Sequence, residues 1–112
     1  MARLASGLWV DAYLHRLTLE GIPAFILAKG DATAGAVLVK LARMDGTADL
    51  HQRVTDPMTG TRKWELLASG AERDMDETVR KQRSFDPDLW VIEIEDRHGR
   101  HMLDAPGLDG RH

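Results

Sequence analysis

The sequence predicts an α+β fold: a mostly antiparallel sheet of about five strands with two helices packed on one face, in the order α-β-β-β-β-α-β. Three observations carry that expectation. Val10, Tyr13, Leu14 and Leu17 recur at helical spacing near the start of the chain. Asp45-Gly46 divides two apolar runs as a hairpin turn does. Residues 89–96 alternate apolar and acidic side chains, and they follow a segment whose acids precede its bases, as a helix dipole favours.

The first helix is expected to begin near Ser6, a plausible N-cap, and to stop at Gly21 before Pro23, with Leu8 and Ala12 widening its apolar face. Residues 22–29 are nearly all apolar and read as a strand covered on both faces. Residues 36–43 form the next strand. A two-residue turn at Asp45-Gly46 then pairs Met44 with Thr47, Leu41 with Leu50, Val39 with Gln52 and Val37 with Val54. In that register Val37, Val39, Leu41, Leu50 and Val54 share one face. Leu38, Lys40, Ala42, Asp49, His51 and Arg53 share the other.

A turn at residues 56–60 leads to a strand over 62–68, with Trp64 and Leu66 on its core side. A second helix is expected over 74–84. Asp74 and Glu77 have the spacing of a capping box, and Asp76–Arg80 and Glu77–Lys81 are acid-before-base pairs one turn apart. Only Met75 and Val79 are clearly apolar there, so this helix covers the sheet thinly. Pro87 ends it, residues 89–96 form the last long strand, and His98-Gly99 turns into a short return strand over 100–103. Residues 1–104 are thus read as one domain and 105–112 as a flexible tail.

Composition bounds the chemistry. The 112 residues include no cysteine, which excludes disulfides, thiolate nucleophiles and thiolate–zinc sites. The formal charge of −3, from 15 basic and 18 acidic residues, gives no general attraction to nucleic acid. Asp11 and His15 interrupt the N-terminal apolar residues, and the apolar run 22–28 is too short to span a bilayer, so a cytoplasmic protein without a membrane anchor is expected. No phosphate-cradling glycine loop, dinucleotide fingerprint or nucleophile elbow occurs. The sequence therefore implies no cofactor.

Ala2-Arg3-Leu4 with Leu8-Trp9-Val10, the hairpin around Asp45-Gly46, and above all residues 85–96 running on to His101 resemble a small alphaproteobacterial family, domain of unknown function 1491. The resemblance covers nearly the whole chain. It implies a stand-alone bacterial protein of about this length, and it brings no catalytic residues with it.

The strongest candidates for chemistry are Asp86, Asp88, Glu93 and Glu95, with Asp96 and His101. Carboxylates paired in unlike environments can serve as acid and base, which would suit a small hydrolase. Strand alternation alone puts Glu93 and Glu95 on one face, and a turn around Pro87 uses Asp86 and Asp88 without any catalysis. A metal site from His98 and His101 with Asp96 and Glu95 is disfavoured, because a cross-strand Asp96–His101 pair explains those residues more simply. His15 and His51 read as exposed. Arg80, Lys81 and Arg83, with Arg62 and Lys63, offer a weak nucleic-acid patch, but Asp76, Glu77 and Glu65 neutralise it. Trp9, at the flank of the helix stripe, is the candidate exposed anchor for a protein partner or a second copy. The leading expectation is a non-catalytic interaction or regulatory module.

Overall fold

A computed structural model describes residues 5–104. Helix α1 spans Ser6–Leu19 and is followed by strands β1 (Ala24–Ala28), β2 (Val37–Ala42), β3 (Thr47–Thr55) and β4 (Arg62–Ala71), helix α2 (Glu72–Phe85) and strand β5 (Trp90–Glu95). The class and element order are those the sequence predicts. The five strands lie in the order β1-β5-β2-β3-β4. Only β2 and β5 run parallel; the other three pairings are antiparallel. The tail expected from residue 105 lies outside the described residues. No helix among them is long and apolar enough to cross a membrane.

The two helices cover opposite faces of the sheet, not one face as expected. On one side Trp9, Val10, Tyr13 and Leu17 of α1 pack with Val37, Val39, Leu41, Trp90, Ile92 and Ile94. On the other, Met75 and Val79 of α2 pack with Leu38, Ala48, Leu50, Leu89 and Val91. The cause is in the strands. Every residue of β2 is buried, so this strand needs a cover on each side. The apolar patch facing α2 is small enough for two apolar side chains to serve it.

The β2–β3 hairpin is one residue out of the expected register. Ala42 pairs with Ala48, Leu41 with Asp49, Lys40 with Leu50 and Val39 with His51. The loop is longer than two residues: the Arg43 N–H donates to the Thr47 carbonyl at 3.1 Å, and Met44 and Gly46 both take positive φ (68° and 89°). Asp45 Oδ1 accepts from the Thr47 N–H and hydroxyl, which closes the turn. A one-residue slip turns a whole strand over. Leu50 therefore joins Lys40 beneath α2, while Asp49 and His51 join Val39 beneath α1.

Other elements differ locally. Ala5, not Ser6, caps α1, and the Ser6 hydroxyl donates to the Gly35 carbonyl at 2.6 Å. Gly21, at φ 71°, ends the helix as expected. β1 is an edge strand, with Phe25, Ile26 and Leu27 each about half exposed, and so is not covered on both faces. Leu66 is also mostly exposed, whereas Trp64 packs against the α1-side core. α2 starts at Glu72, directly out of β4, and no side chain caps it, so Asp74 and Glu77 form no capping box. Residues 100–103 form no return strand; Met102 takes a positive φ that breaks an extended path.

Candidate functional site

Lys40 stands in the middle of β2, and the pleat aims it at α2. Its side chain is 2% exposed. Three carboxylates meet its ammonium: Glu72 at 2.8 Å and Asp76 at 2.6 Å, one turn apart at the start of α2, and Glu93 at 2.8 Å. Glu93 is placed there by the parallel register, which sets it beside Lys40. Burial pulls the ammonium pKa down. The hydrogen bonds to Asp76, Glu72 and Glu93 more than offset that pull, so the net shift is upward. An ammonium held protonated is neither nucleophile nor base.

The carboxylate oxygens of Glu72, Asp76 and Glu93 lie within 4.8 Å of one another, a spacing that suits a metal ion. The Lys40 ammonium already lies within 2.8 Å of each and supplies a positive charge there. The cluster is best described as a buried cation held by three partly exposed anions. It lines an open groove of about 390 Å³, together with Leu27, Val79, Val91, Arg80 and Arg83.

Beside this groove runs the free edge of β1. Phe25, Ile26 and Leu27 are 49%, 45% and 50% exposed. The other large exposed apolar side chains, such as Met58 and Phe85, stand singly along the chain; β1 alone has three in succession. Its inner edge pairs with β5, with a register shift between Ile26 and Ala28.

The residues singled out from sequence do not converge. Asp86 Oδ1 accepts from the Asp88 N–H in a tight turn. The Asp88 carbonyl accepts from the Asp31 N–H at 3.0 Å and lies against Gly30 and Gly35. The Asp86–Asp88 turn thus clamps the loop that leads into β2. Glu93 is tied to Lys40. Glu95 shares its face, as expected, but borders a different shallow groove with Asp96, Arg97, His98 and Arg100. Asp96 makes no pair with His101. It accepts from the Arg100 N–H at 2.7 Å and from the Arg100 guanidinium, whose hydrogen bond holds the Asp96 carboxyl below its ordinary pKa.

His101 lies on the α1 side, away from Glu93. Its carbonyl accepts from the Tyr13 hydroxyl at 2.6 Å, and its ring lies 4.7 Å from that of His51. Arg80 pairs with Glu77 at 3.4 Å on open surface, and Arg62 and Lys63 begin β4 at the opposite edge of the sheet from β1. Trp9 is 1% exposed, stacked on Tyr13 and close to Trp64, with the Arg53 guanidinium 5.4 Å from its ring; it is a core residue and presents no surface. Sequence reasoning passed over Lys40. Its signal was a lysine inside an otherwise apolar strand, opposite a helix that opens with two acids four residues apart.

No curated protein matches this chain. Three solved structures resemble it closely. The crystal structure of a DUF1491 family protein from Caulobacter crescentus CB15 is 45% identical, with a TM-score of 0.82, covering 92% of this chain and 97% of that one. An NMR structure of a DUF1491 family protein from the same organism is 42% identical at TM-score 0.82, covering 95% and 97%. The solution structure of a protein from A. tumefaciens is 28% identical at TM-score 0.73, covering 98% and 95%. The family model "Protein of unknown function (DUF1491)" matches residues 4–104, and the chain belongs to that family.

Proposed function

We propose that this protein is a non-catalytic cytoplasmic interaction module that takes an extended segment of a partner protein along the free edge of β1. The carrying observation is the run Phe25-Ile26-Leu27, half exposed on a strand with one side unpaired among the described residues. Such an edge offers unpaired N–H and C=O groups, and alternate side chains give it specificity. Large exposed apolar side chains grouped on one strand mark a candidate interaction site. The scatter of the candidate carboxylates and His101 over both faces of the sheet, and a Lys40 held protonated by its carboxylates, fit a binding role better than a hydrolytic one.

The test is site-specific photo-crosslinking in cells, with the reactive side chain at Phe25 or Leu27 and, as control, at exposed Met58. A discrete adduct from the two edge positions, absent from Met58 and lost when Ile26→Lys is added, supports the reading. An adduct of twice the protein's own mass identifies the partner as a second copy. No adduct from the edge, or the same adducts from Met58, ends it.

A further inference from the structure

Beneath α1, β3 meets the segment 100–104. His51 points from β3 toward His101, with ring centroids 4.7 Å apart and planes tilted by 55°. The His51 Nε2 is buried and has no hydrogen-bond partner among the described residues. His101 Nδ1 accepts from the Leu103 N–H at 3.0 Å, so that nitrogen carries no proton in this arrangement. The Tyr13 hydroxyl holds the His101 carbonyl, and Leu103, 4% exposed, fills the core beside α1.

We propose that the His51–His101 pair is a proton-operated latch on the segment 100–104. A proton on His101 Nδ1 sets two donors face to face and breaks the bond to Leu103. A proton on His51 sets a cation where its Nε2 has no acceptor among the described residues, against a second imidazole. Either event favours release of the segment and withdrawal of Leu103 from the core.

The groups facing His51 decide the balance. Burial lowers its pKa most, followed by His101, and Arg43 from the β2–β3 turn acts in the same direction. Asp49 on β3 and Asp104 beyond the latch oppose them, and the net shift is downward. Tyr13, the titratable group α1 brings to the latch, stays a neutral donor, because its burial pushes the phenol pKa far up. The closed segment is therefore the neutral-pH state, and acid opens it.

The test follows the histidine ring resonances and the Leu103 amide exchange of the full chain by NMR from pH 8 to pH 5, after correcting exchange for its intrinsic pH dependence. The expected result is a His51 midpoint below the ordinary histidine value and a rise of about tenfold or more in corrected Leu103 exchange over the same interval. His51→Gln, which cannot take up the proton, should cut that rise at least about threefold. His101→Asn, which keeps an acceptor, should flatten it too. Leu103 protection that stays constant while His51 titrates overturns the latch, as does an unchanged rise in both variants. If a variant does not fold, the coupling of ring titration to Leu103 exchange in the native chain decides alone.

Discussion

Lys40 lies directly across from Leu50 in the β2–β3 ladder, so a buried ammonium and a fully buried leucine share the surface that α2 covers. The first two turns of α2 supply anions to the one, and its apolar pair Met75 and Val79 packs in the cluster of the other. Charge and apolar contact thereby dock the same helix at neighbouring points.

Removing one side of this arrangement should not cost the same as removing the other. Glu72 and Asp76 are about 40% exposed, so Glu72→Gln or Asp76→Asn should each cost under about 1 kcal/mol. Neutralising Glu72, Asp76 and Glu93 together leaves the ammonium buried and unpaired, which should cost about 3–5 kcal/mol. Lys40→Met leaves carboxylates that water can still reach, and an intermediate loss of about 1–3 kcal/mol is expected. Urea denaturation of the series checks the order.

Stability should fall at both ends of the pH scale for separate reasons. Lys40 is raised above its ordinary 10.5, so its contribution is complete below that value and is lost as pH rises through the folded pKa. Asp96 is lowered from its ordinary 3.8 by Arg100, so its contribution is present above that value and is lost as pH falls through the folded pKa. Asp96→Asn should flatten the acid limb below about pH 4 and leave the alkaline limb alone; Lys40→Met should do the reverse. Thermal melts across pH read both.

Gly30 has no room for a side chain. A Cβ there would collide with the Asp88 carbonyl and come within 2.7 Å of the Trp90 ring and backbone nitrogen. The Trp90 indole is itself fixed by donating to the Asp31 carbonyl at 2.8 Å. Gly30→Ala should therefore destabilise by about 3 kcal/mol, the upper end of overpacking costs. Gly46→Ala meets no atom, but its φ of 89° strains any side chain, and a loss of about 1 kcal/mol is expected. Comparing the two midpoints separates collision from backbone strain.

The Tyr13 hydroxyl bond to His101 is the polar tie between α1 and the segment 100–104. Tyr13→Phe should cost about 1 kcal/mol and leave Leu103 in place at neutral pH, with faster exchange of its amide. Native-state hydrogen exchange measures this directly.

Elements with a clear local period were legible in the sequence. The α1 stripe, the acid-to-base order of α2 and the alternation in β5 each identified their element. Register was not legible, because Asp45-Gly46 serves a two-residue turn and a longer one equally well, and Met44 gave no sign that it would take a left-handed conformation. The one-residue difference hid the Lys40–Leu50 pairing and made His51 look exposed. The two-sided burial of β2 was not legible, because Lys40 interrupts its apolar run, while the unbroken apolar run in residues 22–29 was misleading, since β1 stands at an edge. The turn role of Asp86 and Asp88 around Pro87 was legible, but the backbone contact of that turn with the Gly30–Gly35 loop was not, because nothing local to either segment signals it.

β5 is the last strand among the described residues and sits between β1 and β2. Until it emerges during synthesis, β1 has no neighbour and β2 has one bare side. The meander of β2, β3 and β4 with α2 can assemble early from near neighbours, whereas α1 has no complete surface to settle on. Closure of the sheet is thus an insertion late in folding that joins two separate pieces of chain, a pairing between residues far apart in sequence and slow for that reason. A chain halted before Trp90 would present an unpaired β1 and the bare edge of β2 to the cell, and quality-control proteases should find it there.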